Sequence, residues 1–213
     1  MKKLKSMFVK LTPEKRLYQL DKPVLAITGG IATGKSSVSE IMTSKGFQVI
    51  DADKLVKSIY QTPEAIHYIK NNIPAAYSVG RIDFKILREL FFKSSETKKL
   101  IEDFIYPNLK EAFLKETISI TNQDFYFYDV PLLFERGLDS QVDLSIVVYT
   151  PKETQINRLI ERDHCPLPLA NAILSEQMDI ELKRTKADFI INNFGTKKEL
   201  AVEVDKLLLQ LMN

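Results

Sequence analysis

At 213 residues, with 45% hydrophobic and 27% charged side chains, the chain has the size and composition of one globular α/β domain with room for an insertion. Its 30 basic and 28 acidic residues leave a net charge of +2, which argues against a dedicated nucleic-acid binder but allows a local pocket for a phosphorylated small molecule. The single cysteine, Cys165, excludes an intramolecular disulfide or cysteine-cluster metal site, and no apolar run approaches the ~18 residues of a membrane span, so a cytoplasmic protein without a membrane partner is expected.

Residues 1–22 form a lysine-rich N-terminal extension with no signal-peptide core behind its basic start. Leu4, Phe8 and Leu11 fit one side of a short helix interrupted by Pro13. Their apolar face is small, which favours a packed or frayed extension over a membrane anchor. An apolar run of strand length, 24–27, leads into Thr28-Gly29-Gly30-Ile31-Ala32-Thr33-Gly34-Lys35-Ser36-Ser37. Gly29, Gly34, Lys35 and Ser36 match G-x-x-x-x-G-K-[ST], the phosphate-binding P-loop. Glycines let several N–H groups turn towards one anion, and the helix starting near Gly34 adds its own N–H groups and positive dipole end. Lys35 is placed for the β- and γ-phosphates and Ser36 for Mg²⁺. A plain glycine turn with a surface lysine is the simpler alternative. The strand before the motif and the apolar face of Val38, Ile41 and Met42 after it favour the P-loop.

Gly46 suits the end of that helix, and 47–50 reads as a second strand ending at Asp51-Ala52-Asp53. Ligands of open α/β sheets bind beyond the carboxyl ends of strands, so these two carboxylates belong on the P-loop edge. Asp51 is also expected to cap a helix over 54–60. From about 62 to 121 strand signals vanish and helical patterns succeed one another, over 63–71, 83–92 and 95–115. Ser78-Val79-Gly80 reads as a turn, and Pro107 should kink or split the last of these helices. This stretch is read as an inserted helical subdomain; a solvated helix face is the expected place of any one of Arg81, Lys85, Arg88 and Lys98, with part of the set able to face a substrate.

An aromatic strand over 125–128 runs into Asp129, a Walker-B position that would hold Mg²⁺ directly or through water. Residues 144–149 form an apolar run suited to a buried parallel strand. Thr150-Pro151-Lys152-Glu153 reads as a capping box with proline at N1. Arg158 and Arg162 share one face of the helix that follows, before Pro166 and Pro168, an arrangement suited to a phosphate-clamping lid. One long helix is predicted over 169–186, a last strand over 188–193, and a second capping box at Thr196-Lys197-Lys198-Glu199. That box opens a terminal helix with Leu200, Val204, Leu207, Leu208 and Leu211 as its core stripe. His67 and His164 have no partner at metal-ligand spacing.

Taken together, the P-loop, Val49-Ile50-Asp51-Ala52-Asp53, Asp129-Val130-Pro131-Leu132-Leu133-Phe134-Glu135, Arg158 with Arg162-Asp163, and Gln177 with Ala187-Asp188-Phe189-Ile190-Ile191-x-Asn193 resemble the dephospho-CoA kinase family. The resemblance implies a P-loop NTPase-type three-layer α/β fold with a central parallel sheet, one kinase domain over 23–213. Its core would be 23–61 and 122–213, its helical substrate-binding insertion about 62–121 and its lid about 158–170. It implies transfer of the γ-phosphoryl of ATP to the ribose 3′-hydroxyl of dephospho-CoA, with Mg²⁺, by a monomer that binds neither nucleic acid nor membrane. By the same likeness Asp53 is the general base, with Lys35 and Arg162 also catalytic. ATP contacts fall to Gly29, Gly30, Ala32, Thr33, Gly34, Lys35, Ser36, Ser37, Arg158 and Arg162. Asp51, Asp53, Arg88 and Leu132 would touch the substrate, and Ser36 and Asp129 the metal. The chain departs from the family pattern at three places. Ala32 replaces a usual glycine and is expected to fit at negative φ, Tyr106-Pro107 replaces a His-Pro pair, and Phe84 replaces an arginine for which Lys85 or Arg88 could substitute. The nearest alternative is another small-molecule P-loop kinase, such as a nucleoside monophosphate kinase. A GTPase-like switch is suggested only by Thr185-Lys186-Ala187-Asp188 and lacks the accompanying D-x-x-G.

Overall fold

The computed structural model describes residues 1–213. In chain order the strands are β1 (Val24–Gly29), β2 (Val49–Asp51), β3 (Tyr77–Ser78), β4 (Arg81–Ile82), β5 (Tyr126–Asp129), β6 (Leu144–Tyr149) and β7 (Phe189–Asn192). The helices are α1 (Lys35–Ser44), α2 (Ala52–Tyr60), α3 (Pro63–Asn72), α4 (Phe84–Lys93), α5 (Ser95–Ser119), α6 (Lys152–Asp163), α7 (Leu167–Ser175), α8 (Ile180–Lys186) and α9 (Lys197–Leu211). The chain divides into two compact units, Met1–Asp51 with Ile120–Asn213, and Ala52–Ser119. The helical unit thus begins at α2, about ten residues before the start read from the loss of strand signals.

The first unit is built on a parallel sheet in the order β2-β5-β1-β6-β7. Alternate residues of its strands, including Leu25, Ile27, Phe127, Ile146 and Val148, enter one core with Val38 and Met42 of α1 and the apolar stripe of α9. Each fully buried stripe residue contributes about 1.5–3 kcal/mol by transfer from water. The remaining β1 residues are buried as well, and α8 contacts β6, as a strand covered on both faces requires. Thr196 and Glu199 form the predicted capping box of α9.

Residues 1–22 are packed instead of frayed, and the predicted short helix is a single 3-10 turn at Ser6–Phe8. Leu4 joins the sheet core and bridges to Met212, and Lys2 bridges to Gln123. The buried Arg16 guanidinium pairs with Asp143 at 2.7 Å. Asp143 also accepts the backbone N–H groups of Lys10, Leu11 and Val24 at 2.9 Å each. One carboxylate therefore ties the extension to the start of β1.

The second unit packs α2, α3, α4 and α5 around Ile59, Ile69, Ile73, Leu87, Ile101 and Ile105. The turn read at 78–80 is present, and two helix readings change here and nearby. The turn at Ser78-Val79-Gly80 closes a small antiparallel hairpin, β3–β4, with positive φ at Val79 and Gly80. Helix α5 continues through Pro107, held by buried residues on both sides, Ile101 and Ile105 before it and Phe113 after it. The helix predicted over 169–186 is two, because Asp179 caps α8 by accepting from Glu181 N–H.

Candidate active site

Strand β1 lies between β5 and β6, and the chain leaves its carboxyl end through the P-loop. This is the switch point at which open α/β sheets bind ligands. Two glycines are required by geometry. Gly34 has φ +90° and a Cβ there would meet Asn193 Nδ2 at 2.2 Å; one at Gly29 would meet the Val148 carbonyl at 2.8 Å.

The loop is braced from the ends of neighbouring strands. Asn193, after β7, donates through Nδ2 to the Thr33 carbonyl at 2.7 Å. The Thr150 hydroxyl lies 2.9 Å from the Asn193 carbonyl and 3.2 Å from that of Thr33. This corrects the capping box predicted at Thr150: the hydroxyl is spent on the P-loop, and α6 starts without a side-chain cap. Gln155, on α6, donates to the Thr150 carbonyl at 2.8 Å, and Gln177 accepts from Ile31 N–H at 2.9 Å.

Ala32 adopts φ +59°, in the left-handed region, where negative φ was expected. Bracing of the adjoining Thr33 carbonyl and the packing of Ala32 against the cluster of Leu159 and Ala170 fix that conformation against its cost. Arg158 donates to the carbonyls of Asn193 at 3.0 Å and Ala32 at 3.4 Å. It grips the loop's backbone and is half-buried. Arg162 is exposed and forms an ion pair with its neighbour Asp163, at 2.7 Å. That guanidinium holds the Asp163 carboxyl below its ordinary range.

At the loop's far end the Ser36 hydroxyl is on an exposed residue and Ser37 is half-buried, both in the first turn of α1. Lys35 Nζ stands 3.6 Å from Oδ1 of buried Asp129, whose Oδ2 accepts from Ser39 at 2.9 Å. Asp51 is the register partner of Asp129 on adjacent strands, so the two carboxylates share the P-loop edge of the sheet. Asp53 lies in the first turn of α2, directly after β2, and is exposed. Leu132 is half-buried three residues beyond Asp129, and Arg88 is exposed on α4. Phe84 packs edge-on against Tyr60, and the Tyr106 hydroxyl donates to Glu102 at 3.4 Å.

Sequence reasoning missed Ser39, Gln155 and above all Lys183. Lys183 is inaccessible to solvent and donates to the carbonyls of Gly29 and Pro131. Its only local signal is a place three residues after Ile180, on the buried face of a short helix.

The chain groups no three His, Cys, Asp or Glu side chains able to hold a metal by themselves. Ser36 and Asp129 are hard oxygen donors beside an anion cradle, a set that suits Mg²⁺ completed by phosphate oxygens and water. No helix is long and apolar enough to cross a membrane.

The chain is similar to solved and curated proteins over most of its length. A Thermus thermophilus crystal structure superposes with a TM-score of 0.80 at 29% identity, over 90% of this chain and 99% of that one. The dephospho-CoA kinase structure from Campylobacter jejuni gives a TM-score of 0.63 at 35% identity, over 88% and 96% of the two chains. The dephospho-CoA kinase of Staphylococcus haemolyticus is 36% identical over 87% of this chain and 94% of that protein. The one from Fusobacterium nucleatum is 37% identical over 86% and 95%. Residues 23–199 match the family model described as dephospho-CoA kinase, and on that breadth of match the chain belongs to the dephospho-CoA kinase family.

Proposed function

We propose that this chain transfers the γ-phosphoryl of ATP to the ribose 3′-hydroxyl of dephospho-CoA, giving coenzyme A and ADP, the last step of coenzyme A synthesis. The observation that carries the reading is a P-loop braced at the end of the central strand, with Asp129 and Asp51 side by side on the same edge, in a chain of this family. A nucleoside monophosphate kinase would share the loop, but the family match favours dephospho-CoA.

The N–H groups of the P-loop, from Gly29 through Ser37, cradle the β- and γ-phosphates. Lys35, which faces Asp129 at 3.6 Å, turns to the phosphate oxygens when they arrive. Ser36 and Asp129 would hold Mg²⁺, which when bound would supply charge neutralisation on the transferring group. Ser39 keeps one Asp129 oxygen engaged and so fixes the carboxylate's orientation. By the family likeness, Arg88 of α4 and Leu132 of the loop after β5 each contact the acceptor. Asp53 takes the proton of the 3′-hydroxyl as the new oxygen–phosphorus bond forms and the β–γ bridge oxygen leaves with ADP. Asp51 supports Asp53 or the metal. The segment of about 158–170 acts as the lid, with Arg162 exchanging Asp163 for phosphate and Arg158 reaching it from the loop's flank. Positioning and charge, not covalent chemistry, supply the rate. The setting on this reading is the cytoplasm and the protein a monomer with ATP and dephospho-CoA as its partners.

The test is phosphate transfer from ATP-Mg²⁺ to dephospho-CoA beside AMP, CMP and shikimate. Product with dephospho-CoA alone is expected, and transfer to another acceptor instead overturns the substrate. In the same assay Asp53→Asn should lower kcat by roughly 10²–10⁴-fold, the range for losing a general base. Unchanged turnover would remove Asp53 from that role.

A further inference from the structure

A buried cation underlies the P-loop, and the steps above make no use of it. The Lys183 ammonium donates to the Gly29 carbonyl at 3.0 Å, the Pro131 carbonyl at 3.2 Å and Glu135 Oε1 at 2.8 Å. Three donors meet three acceptors. Glu135 Oε1 also accepts from Met178 N–H at 2.9 Å, and the Pro131 carbonyl accepts from the Thr28 hydroxyl at 3.1 Å. Next to Met178, Gln177 accepts from Ile31 N–H inside the P-loop. One connected network therefore joins the P-loop at Gly29 and Ile31, the loop that follows Asp129, and the segment between α7 and α8.

Burial pushes the Lys183 amine below its ordinary pKa, and Glu135 opposes that shift. Stability alone does not call for such a pair, since an apolar residue of similar volume commonly serves a buried site as well or better. Its geometry has a more specific consequence. A phosphate cradle works by presenting N–H groups, and a carbonyl turned into it would repel the anion. The Gly29 carbonyl is instead committed to the buried Lys183 ammonium, while the same ammonium fixes the chain two residues past Asp129.

We propose that Lys183, backed by Glu135, is a positioning residue of the nucleotide site: it holds the Gly29 carbonyl out of the phosphate cradle and locks the cradle to the Asp129 loop. The inference rests on the nucleotide half of the function proposed above and is independent of the acceptor.

The test is the full-length chain carrying Lys183→Met, Glu135→Ala, Glu135→Gln and the Lys183→Met/Glu135→Ala pair. A non-hydrolysable ATP analogue is titrated directly, the KM of each substrate is measured, and thermal melting is followed alongside. Lys183→Met and Glu135→Ala should each weaken analogue binding and raise KM for ATP by about tenfold, leaving KM for dephospho-CoA within twofold, with kcat lowered by up to about 10²-fold through misplacement of the phosphates. Glu135→Gln, which keeps an acceptor oxygen, should fall between wild type and Glu135→Ala. The double variant should be no worse than the poorer single one, because both act through one contact. If Lys183→Met does not fold, the two Glu135 variants decide. Folded variants that keep wild-type analogue affinity, or that raise both KM values alike, overturn the proposal. A wild-type chain that binds the analogue but phosphorylates no dephospho-CoA refutes the proposed acceptor and leaves the Lys183 test standing.

Discussion

Ala32 shows how one backbone angle escapes a reading of residue types. Its methyl group sits at φ +59°, a conformation that costs an L-residue about 1–2 kcal/mol. The sequence reading required negative φ there because a methyl prefers it. Tertiary bracing of Thr33 by Asn193 and the packing of Ala32 beside Leu159 decided otherwise. Glycine at this position loses more chain entropy on folding, by about 0.5–1 kcal/mol. Ala32→Gly should therefore stabilise the protein by about 0.5–1 kcal/mol, read as a higher midpoint in urea with unchanged slope. A lower midpoint would mean that the methyl contacts outweigh the strain. Arg158 differs from expectation in another way. Spacing put it on one face with Arg162, but only the fold shows that it grips the Ala32 and Asn193 carbonyls while Arg162 stays exposed beside Asp163.

Among elements, the N-terminal extension is the most dependent on contacts remote in sequence. Arg16 and Asp143 are separated by 127 residues, and neither lies in a motif. Removing one partner of a buried ion pair costs about 3–5 kcal/mol, so Arg16→Met should destabilise the protein by about that much in urea unfolding. A change below 1 kcal/mol would show the pair to be dispensable. The link between β6 and β7 carries a pH dependence. Asp188 accepts from the backbone N–H and hydroxyl of Ser145, each at 2.8 Å, and pairs with Lys10. Partial burial raises its pKa, but the Lys10 and Ser145 contacts outweigh this and hold it below the ordinary value. A depressed folded-state pKa gives stability that is complete above the unfolded-state value of about 3.9 and is lost as pH falls through the folded one. Asp188→Asn should flatten the loss of stability below about pH 4 relative to wild type. Parallel acid limbs in the two proteins would count against this contribution.

For the molecule as a whole, a nucleotide that binds only the folded chain must raise its stability. At a concentration 100 times Kd the gain is about 2.7 kcal/mol. Wild type should show a matching rise in Tm with ATP, and Lys35→Ala should show almost none. An equal rise in both would take Lys35 out of the phosphate site. Much of this architecture was legible in the linear chain, because it depends on neighbours in sequence. The apolar runs of β1 and β6, the P-loop, the two strand-end aspartates and the capping box of α9 all follow from local periodicity and short-range chemistry. The tertiary structure alone decided what depends on distant partners or on one element overriding another's preference. It turned Thr150 from a cap into a brace for the P-loop, split the helix predicted over 169–186 at Asp179, and carried α5 through Pro107. It also buried a lysine beneath the phosphate loop. The sequence records which side chains can donate or accept. Which carbonyl each one meets is set only when strands far apart in the chain come into register.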